Sequence, residues 1–118
     1  MKSDVALECL SALGHASRLA VFRLLVRVGR DGLPAGAIAG RLGIPPSTLS
    51  FHLAQLKRAG LLRSERRQRE IIYAANYDGT RRLLDFLMTD CCRGRPEICG
   101  SLAPIGARPP TRDQGDLP

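Results

Sequence analysis

Three of the chain's four cysteines, Cys91, Cys92 and Cys99, fall within nine residues. Thiolates are the soft ligands that proteins offer to thiophilic ions. Neighbouring positions on a helix point about 100° apart, so Cys91 and Cys92 meet on one ion only where a helix end unwinds. Arg93-Gly94-Arg95-Pro96 supplies a turning chain that returns Cys99 to the pair. Three sulfurs from one short loop suit an ion that takes three thiolates in a pyramid, as trivalent arsenic and antimony do, whereas zinc prefers four ligands. Arg93 and Arg95 beside the thiols would raise the thiolate fraction. Two other chemistries use the same residues: a zinc or cadmium site completed by a fourth ligand, and a disulfide between Cys99 and Cys91 or Cys92. Cysteines also serve as small buried hydrophobes, the role assigned to Cys9 in core or dimer packing.

The second concentration of chemistry is charge. The 118 residues carry a formal charge of +7, which points to an anionic partner, most simply nucleic acid. The charge is local: residues 57–69 hold Lys57, Arg58, Arg63, Arg66, Arg67 and Arg69 against the single acid Glu65. A chain of this length forms one domain with a small core. Asp4 and Glu8 interrupt the N-terminal apolar residues, so no secretory signal is expected. No run approaches the roughly 18 apolar residues of a membrane span. The expected compartment is therefore the cytoplasm, with thiols reduced and no membrane partner.

These groups must be positioned by helices and a hairpin. Val5, Leu7, Leu10 and Leu13 recur at near-helical spacing over 3–13, with Ser3 or Asp4 as N-cap. A second helix begins near His15, carries Leu19, Phe22, Leu24, Leu25 and Val26, and stops at Gly29. After an Arg-Asp-Gly turn, Pro34 suits the first position of a third helix that ends at Gly43. Pro45 and Pro46 open a fourth, in which Leu49, Leu53 and Leu56 form the buried stripe and Gly60 is the stop. LLRSE and REIIYAAN read as two strands separated by Arg66-Arg67-Gln68, a hairpin with a basic tip and no Asn-Gly or Asp-Gly turn signal. A fifth helix is predicted over roughly 78–92. The Pro-, Gly- and Arg-rich residues 103–118 have little to bury and should be a disordered tail.

The fold class is thus mainly α with a β-hairpin wing: a winged helix-turn-helix. GHASRLAVFRLL, IAGRLGIPPSTLSFHLAQLKRAGLL and IIYAAN together resemble the arsenic-repressor (ArsR/SmtB) family of metalloregulators, over residues 5–92, about three quarters of the chain. The most characteristic piece is Ser50-Phe51-His52-Leu53. The chain departs from relatives that carry a cysteine-rich motif at the start of the helix before the recognition helix, and from those with paired His and acidic ligands on the last helix. The family's other metal sites are therefore absent, and Cys91, Cys92 and Cys99 are left as the sensor. Some members carry a similar vicinal cysteine pair with a nearby third at this helix end.

The resemblance makes the fourth helix the recognition helix and implies a homodimer through the first and last helices. The helix face away from its leucines displays Ser47, Thr48, Ser50, Phe51, Gln55 and Arg58. Small hydroxyls at a helix N-terminus permit close approach to phosphate, or serve only as caps. Gln55 suits an adenine edge and Phe51 a thymine methyl. His52 matches the family's His, with its role open between a DNA contact and a buried structural imidazole. Arg66, Arg67 and Arg69 on the wing would reach flanking phosphates or the minor groove. The expectation is a repressor, bound to double-stranded operator DNA as a homodimer and released when As(III) or Sb(III) is held by three thiolates. Residues 1–92 would form the DNA-binding and dimerisation domain, 93–102 the metalloid loop and 103–118 the tail. No phosphate-cradling loop adjoins a cysteine and no ordered Cys/His pair is visible, so the chain is not read as a thiol enzyme and no catalytic cofactor is expected. A winged-helix protein–protein adaptor fits the polar recognition face and basic wing poorly.

Overall fold

The computed structural model describes residues 1–92, and the side chains of all but the last three of them. Five helices and three short strands follow in the order α1 (Ser3–Leu13), α2 (Ala16–Val28), β1 (Leu33–Pro34), α3 (Ala35–Leu42), α4 (Pro46–Arg58), β2 (Leu62–Arg67), β3 (Glu70–Ala75) and α5 (Tyr77–Cys92). The chain parts into two units, one from Met1 to Leu83 and a second beginning at Leu84. Only the first turns of α5 therefore belong to the winged body. The expected loop at 93–102 and tail at 103–118 lie outside the described residues.

Local signals account for most boundaries. The α1 N-cap is Lys2, without a side-chain cap, while Asp4 sits in the first turn, where a carboxylate favours the helix dipole. His15 caps α2 through its ring nitrogen, which accepts from the Ser17 amide at 3.1 Å. Gly43, left-handed at φ 66°, ends α3. Pro46 begins α4 at a position that has no helical partner for an amide.

The buried side chains of α2, α3 and α4 converge on one core: Val21 and Leu25, Ile38, and Leu49, Leu53 and Leu56, closed by Leu61 beneath the hairpin. Helix α1 packs on α2 and α4, but with the face opposite to the one its large residues suggest. Ala6, Cys9 and Ala12 are buried, while Leu7 is 65 % exposed and Val5 and Leu10 are each 41 % exposed. Small residues let α1 lie close to the body, and its larger apolar residues form an outward face.

The sheet is antiparallel in the order β1-β3-β2. Strand β1 was not anticipated. Pro34, expected inside α3, instead pairs with Ile72 and is the N-cap of that helix. Its ring fixes a φ of −70° that serves both roles, and a proline is tolerated because β1 is an edge strand. The hairpin is also tighter than expected. Arg66 and Arg67 lie in β2, opposite Ile71 and Glu70, leaving Gln68 and Arg69 as a two-residue tip with Gln68 at φ 56°. Among the described residues no single helix is long and apolar enough to cross a membrane, and α1 and α2 are bent 98° from each other.

Candidate nucleic-acid interface

Helix α4 has two faces set by the 3.6-residue period. Leu49, His52, Leu53 and Leu56 are buried on one. Ser47, Ser50, Phe51 and Arg58, all exposed, recur at spacings of three, four and seven residues on the other. Thr48 is exposed at the flank of that face and Gln55 is half-buried on the same flank. Ala54, also exposed, lies at the centre of the polar face. Sequence reasoning passed over it because a methyl group carries no chemistry, yet its small size is what allows a helix axis to approach a groove floor. Phe51 is 58 % exposed, an unusual placement for a phenyl ring and the largest apolar group on this face.

His52 is the exception among the expected DNA contacts. It is only 4 % exposed, buried with the leucine stripe, so the imidazole is a structural group and no base edge reaches it. Its position, three residues after Leu49 and four before Leu56, was the sequence signal for burial. Arg18 Nη1 lies 3.3 Å from His52 Nδ1, and the same guanidinium donates from Nε to the Ala12 carbonyl at 2.6 Å. The His15 and His52 ring centroids are 4.6 Å apart, and Phe51 meets His52 edge-on at 6.0 Å. Burial first, then His15 and Arg18, hold the His52 pKa below the ordinary imidazole value. Neither His15 nor Arg18 stood among the expected functional residues.

On the wing, Arg63, Glu65 and Arg67 alternate along one face of β2. Glu65 lies 4.0 Å from Arg63 and 3.2 Å from Arg67, and Arg63 also donates to the Arg30 carbonyl at 3.2 Å. Arg66, on the opposite face of the strand, and Arg69, at the tip, are exposed. They form no ion pair among the described residues, unlike Arg63 and Arg67 of the same hairpin. All three expected wing residues are thus exposed, with Arg67 partly engaged by its own acid.

The backbone of α5 is helical through Cys91 and Cys92. The side chains of these two residues, and Cys99 entirely, lie outside the described part, so the expected metalloid site does too. The remaining cysteine, Cys9, is 1 % exposed and donates its thiol to the Ala59 carbonyl at 3.2 Å. No group of three or more His, Cys, Asp and Glu side chains that could hold a metal ion occurs among the described residues.

Residues 13–65 match a family described as a helix-turn-helix domain. The chain is similar to the nodulation protein NolR of Rhizobium meliloti, 29 % identical over 85 residues, which cover 72 % of this chain and 67 % of NolR. Among solved structures it resembles an ArsR-like transcriptional regulator from Rhodococcus sp. RHA1, with a TM-score of 0.66 and 25 % identity over 74 % of this chain and 79 % of the other. It also resembles the homodimeric winged helix-turn-helix DNA-binding domain of Mb0332 from Mycobacterium bovis, a possible ArsR-family regulator, with a TM-score of 0.61 and 28 % identity over 74 % and 80 % of the two chains. The matched helix-turn-helix and the winged fold make the chain a winged helix-turn-helix protein, similar to DNA-binding transcriptional regulators of the ArsR family.

Proposed function

We propose that the protein is a metalloid-responsive repressor. A homodimer holds operator DNA through α4 and the wing, and lets go when As(III) or Sb(III) is captured by the thiolates of Cys91, Cys92 and Cys99. The observation that carries this reading is the position of the cysteine pair: Cys91 and Cys92 are the last two residues of α5. Consecutive helical residues diverge by about 100°, so gathering both sulfurs on one ion requires the end of α5 to open. A dimer is supported by the outward apolar face of α1, with Val5, Leu7 and Leu10, since such patches mark association surfaces. The homodimeric state of the Mb0332 domain supports it too.

In this reading Ser47, Thr48, Ser50, Phe51, Gln55 and Arg58 face the major groove, while Arg66, Arg67 and Arg69 meet flanking phosphates. Two such helices in a dimer read half-sites about one DNA turn, roughly 34 Å, apart. Reshaping the end of α5 moves them off that spacing. An allosteric coupling of about 1–3 kcal/mol weakens the complex roughly 5–150-fold.

The test is a titration of protein bound to a duplex from immediately upstream of its own gene with As(III), Sb(III), Zn(II), Cd(II) and peroxide. As(III) or Sb(III) should release the DNA, and Cys99→Ser should abolish that release. Release unchanged in Cys99→Ser would exclude the three-thiolate site. Release by Zn(II) or Cd(II) alone, or by peroxide alone, would assign the cysteines to a divalent-metal or redox sensor instead.

A further inference from the structure

The recognition helix has one buried polar side chain, His52, and no step of the mechanism above uses it. We propose that Arg18 and His52 are positioning residues that fix α4 for DNA binding through a contact requiring a neutral imidazole, so that acidification releases DNA by protonating His52. The proposal rests on α4 being the helix that reads DNA.

An arginine side chain only donates hydrogen bonds. At 3.3 Å from Arg18 Nη1, His52 Nδ1 is therefore the acceptor and the ring proton sits on Nε2. A second proton would place an N–H on Nδ1 against the guanidinium N–H, replacing a hydrogen bond by a donor–donor clash between two cations. Arg18 is not free to swing aside, because its Nε donates to the Ala12 carbonyl at the end of α1 at 2.6 Å. His15 covers the imidazole from the cap of α2, its ring 4.6 Å away and its Nδ1 occupied by the Ser17 amide.

The groups acting on His52 are thus His15 and Arg18, neither of them an acid. Helix α1 contributes the uncharged Ala12 carbonyl, and its Asp4 and Glu8 are exposed. Arg41 of α3 and Arg66 of β2 are exposed as well. The other β2 charges, Arg63, Glu65 and Arg67, are engaged with one another or with the Arg30 carbonyl. A protonated His52 consequently finds no counter-charge among the described residues, and relief comes only from moving α4 away from α2. The position of His52 below the ordinary imidazole range agrees with this geometry.

The sign is diagnostic. Acidification ordinarily strengthens the binding of a basic protein to polyanionic DNA; here it must weaken it. The chain has only two histidines, so imidazole titration is confined to His15 and His52. The experiment measures affinity for the upstream duplex at constant ionic strength from about pH 7.5 to about pH 5.5, alongside hydrogen-exchange protection of the α4 amides. Three full-length chains are compared: wild type, His52→Asn and His15→Asn. An asparagine at 52 offers a neutral carbonyl near the Nδ1 position, and one at 15 keeps an effective cap.

Wild type and His15→Asn should lose affinity severalfold, up to about tenfold, by about pH 5.5 as His52 titrates, with α4 protection falling in step. His52→Asn should show neither loss. Equal acid sensitivity in His52→Asn and wild type would overturn the proposal. If His52→Asn fails to fold, the NMR titration of the two imidazoles in wild type decides: a loss of affinity and protection that does not follow His52 protonation overturns it. If α4 protection falls with His52 protonation while DNA affinity does not, the contact stands and the assignment of α4 as the reading helix fails.

Discussion

Asn76 ties the end of the recognition helix to the start of α5: its Nδ2 donates to the Gly60 carbonyl at 3.0 Å. The same side chain caps α5, its Oδ1 accepting from the Gly79 amide at 3.2 Å. Gly79 lies so close to this joint that a Cβ there would run into the Gly60 carbonyl oxygen. One amide thus satisfies an orphan carbonyl after α4 and an orphan N–H of α5. Asn76→Ala should cost about 1–3 kcal/mol by loss of a cap and exposure of an unpaired carbonyl. Asn76→Asp, which keeps the cap and loses the donor, should fall between. Urea unfolding read by circular dichroism gives the order, and equal stability of all three chains would show that the joint carries no weight.

Phe51 offers a cleaner separation of folding from binding. Its ring is 58 % exposed, so Phe51→Ala should leave unfolding free energy within about 0.5 kcal/mol of wild type. If the ring meets a thymine methyl, affinity for the upstream duplex should drop roughly tenfold, about 1.4 kcal/mol. The loss should be smaller on unrelated DNA. Fluorescence anisotropy on both duplexes makes the comparison, and an equal loss on both would remove Phe51 from base reading.

The wing predicts unequal arginines. Arg66 and Arg69 are exposed without an ion pair among the described residues, while Arg67 shares Glu65 with Arg63. Arg66→Ala or Arg69→Ala should each reduce the slope of log affinity against log salt by about one. Arg67→Ala should change it less. Glu65→Gln frees two guanidinium groups and removes a repelled charge, so it should tighten binding to any duplex. Salt titrations at several concentrations test the ranking, which fails if Arg67→Ala has the largest effect on slope.

The helices were legible because their apolar spacing, glycines and prolines are local signals. The helix-turn-helix followed from residues 34–60 with only the start of α3 shifted by a residue, since Pro34 serves both strand and cap. What was not legible depends on what lies across the chain. Helix α1 has apolar residues nearly all round, and periodicity cannot tell that Ala6, Cys9 and Ala12 face the body rather than the larger Val5, Leu7 and Leu10. A two-residue strand such as β1 has no period at all. Placing Arg66 and Arg67 in β2 required the register with β3, because the Gln68-Arg69 tip lacks the usual turn residues. Arg18 was invisible as a support for α4, being 34 positions from His52 in sequence.

Cys9 tests whether the chain's thiols divide into two kinds. It is buried on the inner face of α1 and donates to the carbonyl of Ala59, the C-cap residue of α4. Burial, reinforced by the Glu8 carboxylate and opposed by Arg82, raises its pKa above the ordinary 9.0. The sign follows directly: where the folded pKa exceeds the unfolded one, the native state holds its proton while the unfolded chain loses it. Stability attributable to Cys9 is therefore complete below about pH 9 and declines as pH rises through the folded value. At neutral pH, alkylation of Cys9 needs both an opening of the α1–α4 contact and a thiolate that burial disfavours. Iodoacetamide labelling mapped by mass spectrometry should find Cys9 protected in native protein and reactive in urea. Native-state labelling of Cys9 as fast as in urea would mean that α1 opens freely, and Cys9 would then compete for any thiophilic ion offered to the other three cysteines.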